Sequence, residues 1–244
     1  MLLAGLCFVC FLFLGLGAAL LPGSQPAQTT LPLLRKLGVQ FVLASASPRR
    51  KELLEQCLQV TPRVAPSSFA EDLDKKAYRT AAAYCAATAR CKGQDVVDRG
   101  LVEPSSSGET QVIISADTIV VCGCHDVILE KPTDKADAMR MLSLLAGKQH
   151  TVHTAVALFV RHSTSPTFSL ECEFVESTLV KFNELTSMDI EAYVDANEVM
   201  DKAGSYGIQG AGALLVRTVS GCFYNVMGLP VSRLSAELAK ILAR

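Results

Sequence analysis

The chain has 244 residues, half of them apolar, with no Trp and a formal net charge of −1 at pH 7. That length suits one large domain or two small ones. A near-neutral balance excludes the positive field that nucleic acid or an anionic membrane surface would call for, so no nucleic-acid partner is expected and a bound anion must be held by a local basic cluster.

Leu2 to Leu21 carry no charge, and the first charged residue is Arg35. Such a run could span a bilayer as a helix. It could also be a signal peptide ending near Gly17, Ala18 and Ala19, although no Lys or Arg precedes it. The third reading is an extension that the domain does not use. Pro22 to Thr30 is rich in Pro, Gly, Ser and Gln and reads as a linker. Residues 1–32 are therefore an N-terminal segment, with membrane contact through residues 2–21 as one of its three readings. Residues 33–244 form the globular domain.

Val39 to Ala44 is a short apolar run, a buried strand. Ser47-Pro48 then supplies an N-cap and a Pro at the first helical position. The helix runs to about Cys57, with Leu53, Leu54 and Leu58 on its buried face. Thr61 to Phe69 is extended or looped, Leu73 to Asp98 is Ala-rich and mostly helical, and Arg99 to Gln111 is a surface loop. Val112 to Ser115 and Thr118 to Val121 are β-rich and bracket Ala116-Asp117. Thr133 to Leu145 is an amphipathic helix capped by Thr133, with Ala138, Met141, Leu142 and Leu145 on one face and Gly147 beyond its end. Thr151 to Val160 and Phe174 to Phe182 are strands, Ser187 to Val194 begins a helix, Ala213 to Val219 is a strand, and a C-terminal helix follows Leu229-Pro230. Strands alternating with helices predict an α/β fold with a mixed, twisted sheet flanked by helices.

The nine Cys are scattered, and no paired CxxC pattern marks a structural zinc site. Reduced, mostly buried thiols in a cytoplasmic protein are the expectation. His150 and His153 would face opposite sides of their strand, which suits a paired metal site poorly.

Four segments carry candidate chemistry. In Ala44-Ser45-Ala46-Ser47-Pro48-Arg49-Arg50 a strand feeds a helix N-terminus beside two guanidiniums, which suits a phosphate. It equally describes a capped surface helix. Asp117, at a strand end in an apolar stretch, could accept a proton from water or hold a divalent metal, or it could cap the next turn. Lys131, fixed in extended backbone before Pro132, could reach a phosphate or be exposed. Asp201 to Gly212 places four Gly in nine residues, so the backbone turns tightly or approaches a ligand. Gln209 in it could read a base edge, and a Gly-rich hairpin is the alternative.

Taken together, these segments resemble the Maf family of nucleoside triphosphate pyrophosphatases, in the family's order, from about Val42 to Leu238. The anchors are Leu43 to Arg50, Ser115 to Val120, Leu129 to Pro132, Gly147 to Thr154, Asp201 to Gly210 and Asn225 to Pro230. The resemblance implies a central nucleotide-binding cleft. It implies Asp117 as the proton acceptor, with Arg50, Lys92 and Lys131 on the triphosphate and Ser45 contacting phosphate. Glu71 would serve catalysis by binding a divalent cation, Mg or Mn, together with Asp117, or by positioning water with it. Arg49, Thr118 and Gln209 match positions that select the base in the dTTP/UTP branch, so a pyrimidine triphosphate is the implied substrate. A homodimer is implied as a further partner, since similar proteins dimerise. Lys92-Gly93 departs from the family's usual Lys-Ala. A nucleotide-binding regulator with little turnover is the competing reading, and a membrane-tethered interaction protein is a third.

Overall fold

The computed structural model describes residues 38–123 and 127–243. The expected N-terminal segment, linker and domain start near Leu33 lie outside these residues, as do Cys124 and His125. Seven strands form one sheet: β1 (Val39–Leu43), β2 (Arg63–Val64), β3 (Thr110–Cys122), β4 (Val127–Leu129), β5 (Gln149–Arg161), β6 (Ser169–Phe182) and β7 (Val216–Ser220). Their order is β2-β1-β3-β5-β6-β7, with β4 pairing β3. β1 is parallel to β2 and β3, and the remaining pairs are antiparallel, so the sheet is mixed.

The helices are α1 (Pro48–Cys57), α2 (Ala81–Asp98), α3 (Lys135–Leu145), α4 (Ser187–Ala196), α5 (Phe223–Val226) and α6 (Val231–Leu242). In α6 the apolar side chains Val231, Leu234, Leu238 and Ile241 recur at helical spacing, so one stripe packs with Leu53 and Leu54 of α1 against Val112, Ile114 and Ala116 of β3. α2 covers the other face, where Val96 meets Ile113 and Cys85 meets Ile119. Its Ala-rich composition lets it lie close to the sheet. The period of a strand thus sends the odd-numbered residues of β3 towards α2 and the even-numbered ones towards α1 and α6. α3 and α4 share a further core with Val120, Val152 and Phe182.

Several boundaries differ from the sequence expectation. The Ala-rich helix begins at Ala81, not Leu73, because Thr80 caps it by accepting Ala83 N–H, and Lys75–Ala77 form a separate 3-10 turn. Asp134, not Thr133, caps α3, accepting Asp137 N–H at 2.8 Å. The expected loop up to Gln111 yields at Thr110 to β3, which runs unbroken through Ala116-Asp117. Residues 210–214 are a 3-10 turn, and the strand expected from Ala213 starts at Val216. The six described cysteines are free thiols, but only Cys85 and Cys122 are buried. Among the described residues no helix is long and apolar enough to cross a membrane.

Two features of this topology create the cleft. β2 and β3 lie on opposite sides of β1, so the chain diverges at the carboxyl end of β1, where open α/β sheets bind ligands. In addition, β1 pairs with β3 only as far as Leu43–Ile114, and β4 joins that edge only from Val120. Between them, residues 115–119 of β3 have no strand on that side. Asp117 and Thr118 sit in this gap.

Candidate active site

A cleft of about 700 Å³ opens at the gap. It is lined by the β1–α1 turn, by Glu71 and Lys92, by residues 117–120 of β3, by Glu130 and Lys131, by the Gly-rich segment and by residues 226–228. Because the edge of β3 is bare there, side chains from both faces of the strand reach one cavity.

On the α2 side, Lys92 places its ammonium between two carboxylates, 2.7 Å from Asp117 Oδ1 and 2.8 Å from Glu71 Oε2. Asp117 and Lys92 are buried, and charges so placed require partners. Glu71 reaches in from a loop where its backbone has φ +55, a left-handed conformation that few non-Gly residues adopt. Such strain is retained where the position of the side chain matters.

At the β1–α1 turn, no side chain caps the first N–H groups of α1. Ser45 Oγ accepts from Ser47 N–H at 3.2 Å and from Arg50 at 3.0 Å. Arg50 lies half-buried across the bare edge. Its Nη1 also donates to the unpaired carbonyl of Ala116 at 2.9 Å. Its Nε donates to Gly228 O at 2.9 Å and its Nη2 to Thr118 Oγ1 at 3.0 Å. Burial lowers the guanidinium pKa, and the field of Asp117 opposes the shift. Lys131 lines the same end, exposed.

The side by the Gly-rich segment carries the apolar Val120, Val152, Tyr206, Ile208 and Met227, with Thr118, Gln209, Asp201 and Lys202 as polar groups. The Gly-rich segment is a pair of 3-10 turns, not a hairpin. Gly204 has φ +68, and a Cβ there would come 2.9 Å from Val120. A Cβ on Gly212 would collide with Gly207 O. These glycines therefore let the segment fold against the sheet and against itself. Two phenols hold it from below: Tyr193 Oη accepts Gly207 N–H at 3.2 Å, and Tyr206 Oη lies 2.8 Å from His150 Nε2. Arg49 bridges the cleft mouth to Asp201 at 3.2 Å.

A family model described as Maf-like protein matches residues 40–241. The chain belongs to the Maf-like family. Within it, the chain is 44% identical over 205 residues to a human protein named probable bifunctional dTTP/UTP pyrophosphatase/methyltransferase, covering 83% of this chain and 32% of that one. The chain thus spans about a third of that relative's length. It is 42% identical to the dTTP/UTP pyrophosphatase of Bacillus cytotoxicus, over 82% of this chain and 94% of the relative. The dTTP/UTP pyrophosphatase of Acetivibrio thermocellus is 41% identical, over 81% and 92% of the two chains. A solved HAM1 protein from Coxiella burnetii superposes over 83% of this chain and 99% of its own, at a TM-score of 0.42 and 13% identity.

This Maf-like cleft gathers all nine residues singled out in the sequence: Ser45, Arg49, Arg50, Glu71, Lys92, Asp117, Thr118, Lys131 and Gln209. Their partners were missed. Asp201, Tyr206, Thr154 and Asn225 all fall within the quoted motifs, but no local pattern assigns them a contact. Glu130 is a similar case: it accepts from Tyr84 Oη and Lys75 Nζ, each at 2.6 Å, and its carbonyl accepts Gly204 N–H. That ties the Lys131 segment to the Gly-rich segment. The Lys92-Gly93 departure also has a cause. A Cβ at Gly93 would run into the Phe159 ring and come 2.7 Å from Ser115 Oγ.

Proposed function

We propose that the protein is a nucleoside triphosphate pyrophosphatase acting on dTTP or UTP, releasing the monophosphate and pyrophosphate. One observation carries this reading. A buried carboxylate, Asp117, is held by Lys92 within a cleft that also gathers Arg49, Arg50 and Lys131 and the apolar side chains Val120, Val152, Ile208 and Met227. The names of the relatives at 41–44% identity support the substrate class.

In this reading the triphosphate lies along the β1–α1 turn, with Ser45, Arg50 and Lys131 as its contacts, and the base lies toward the Gly-rich segment. The α–β phosphoanhydride bond breaks, water supplies the new oxygen, Asp117 accepts the water proton, and pyrophosphate leaves. Lys92 occupies Asp117 Oδ1, which leaves the second oxygen for the proton. Lys92 also keeps positive charge beside the reacting phosphate.

A Mg or Mn ion fits the donor set. Glu71 and Asp117 each spend one oxygen on Lys92, so the ion would be held by their remaining oxygens, which are hard ligands of the kind it takes. When bound, the ion would supply charge neutralisation on the phosphates.

The test is pyrophosphate release from a panel of triphosphates with Mg or Mn. Release from dTTP and UTP well above purines is expected. Asp117→Asn should retain the fold, read by circular dichroism, and lose roughly 10²-fold or more in kcat, the usual share of a general base. Near-normal turnover in that variant would exclude Asp117 as the proton acceptor. Binding without turnover in the wild type would make the protein a nucleotide-binding regulator.

A further inference from the structure

Glu71 enters the cleft from a surface loop. The chain leaves the sheet at Ala65, whose N–H donates to Leu43 O at 3.0 Å, and Ser68, Ala70 and Glu71 are all exposed. Such loops move more than the elements they join. The left-handed backbone at Glu71, φ +55, persists only where its surroundings enforce it. A carboxylate that must meet Lys92 at 2.8 Å therefore needs its loop tied down.

The tie is on α2. Asp95 lies one turn beyond Lys92 and so on the same face of the helix. Its Oδ2 accepts from Ser68 N–H at 2.8 Å and from Ser67 Oγ at 2.9 Å. Ser67 Oγ in turn accepts Phe69 N–H at 3.0 Å, which closes a tight turn. Arg99, another turn along, donates to Ser68 Oγ at 2.9 Å and lies 3.4 Å from Asp95 Oδ2. Lys92, Asp95 and Arg99 thus form a row that grips the loop twice, at Glu71 and at Ser67-Ser68.

Asp95 is poorly placed as a helix residue. It sits in the last turn of α2, where the helix dipole disfavours negative charge, and Asp is a weaker helix former than Ala. The donors aimed at it offset both. Burial alone would raise its pKa, yet Ser68 N–H, the Ser67 hydroxyl and Arg99 together hold it below the usual carboxylate value. The acid at this position serves the loop and not the helix. It does not line the cleft.

We infer that Asp95 is a positioning residue for the reaction: it fixes the Ser67-Ser68 turn so that the strained backbone at Glu71 delivers its carboxylate beside Lys92 and Asp117. Asp95 acts only through Glu71. The inference rests on the pyrophosphatase reading and adds to it a residue outside the cleft.

The experiment measures dTTP hydrolysis in Asp95→Ala, in Asp95→Asn, in Glu71→Gln and in the double variant of Asp95→Ala with Glu71→Gln. Ala removes both acceptor oxygens and should lower kcat by roughly tenfold or more, the usual effect of losing a partner that orients a functional carboxylate. Asn keeps one oxygen to accept from Ser67 and Ser68, and its amide can donate to Ser68 Oγ, so kcat should stay within about twofold of wild type. In the Glu71→Gln background the Ala change should cost less than about twofold, because the group it positions is already lost. A general structural role would instead give additive losses. A second readout needs no turnover. Mn binding to the nucleotide-free protein, followed by electron paramagnetic resonance, should weaken by roughly tenfold or more in Asp95→Ala and hold in Asp95→Asn. If Asp95→Ala does not fold, Ser67→Ala breaks the same turn and should show the same losses. A kcat within about twofold of wild type in folded Asp95→Ala, additive losses in the double variant, or Asn as damaging as Ala overturns the inference and leaves the pyrophosphatase standing. No release from UTP or dTTP by the wild type removes the pyrophosphatase reading and the inference together.

Discussion

Arg50 resembles a phosphate clamp in the sequence, yet four of its bonds go to the protein itself, to Ser45, Ala116, Thr118 and Gly228. A guanidinium has five N–H donors, so one remains for a ligand. The side chain is as much a strut as a contact. It satisfies the carbonyl that the gap in the sheet leaves bare and joins the β1–α1 turn to the 225–228 turn. Lys could not reproduce this, because an ammonium has three donors and no planar fork. Arg50→Lys is expected to lower stability in urea unfolding by about 2–4 kcal/mol, the range for breaking a buried charged network. It should lower kcat/KM as well. A variant with poor kcat/KM and unchanged stability would mean that Arg50 serves the ligand alone.

Between elements, the contact of α2 with the sheet sets the position of Lys92, and Gly93 sets that contact. Ala at this position would gain about 1 kcal/mol of helix propensity. It would also overlap the Phe159 ring and crowd Ser115. Overpacking of this kind costs about 1–3 kcal/mol, so packing is expected to win. Gly93→Ala should therefore destabilise the protein, and Phe159→Leu added to it should recover part of the loss. Additive losses in the double variant would rule out this coupling. The sequence expectation did anticipate the element that carries Lys92, as it did α1 and α3, because Ser47-Pro48 and the apolar stripe through Leu145 are strong local signals. It missed β4, which has three residues and gains its definition only by pairing with β3. It cut β3 in two because a polar Asp117 inside a strand is a tertiary decision, made by Lys92 lying opposite. Seven of the nine cleft residues were legible because they sit in compact motifs, whereas Glu71 and Lys92 lie in none of them and came only from the family resemblance. The hydrogen bonds from Thr118 to Thr154 and from Thr154 to the Asn225 carbonyl were not, since the first joins two strands across 36 positions and the second joins β5 to α5 across 71.

At the scale of the whole molecule, stability and ligand binding report on the same assembly. His150 is buried between Phe182 and Tyr206, and burial pushes its pKa down to about 4 from 6.5. Above pH 6.5 both folded and unfolded chains hold it neutral, so it adds no pH dependence. Between 6.5 and 4 the unfolded chain takes up a proton that the folded chain refuses, and stability falls as pH falls. The loss reaches about 3 kcal/mol at the bottom of that window. His150→Gln should flatten the slope between pH 6.5 and 4.5, measured as urea midpoints. An unaltered slope would assign the acid sensitivity to other groups. The segment that His150 supports, through Tyr206, is one of several separate stretches of chain around the cleft. A triphosphate bound there would touch the β1–α1 turn, β3, the Lys131 segment and the Gly-rich segment at once. Such a ligand binds the folded state alone, since the unfolded chain cannot assemble the site. At a hundredfold excess over Kd, an α,β-methylene analogue of UTP should stabilise the protein by about 2.7 kcal/mol, raising Tm by roughly 5–10 °C. Arg50→Lys should show a smaller rise at the same concentration, because it loosens the turn that the phosphates would meet. A full rise in that variant would place the triphosphate away from the β1–α1 turn.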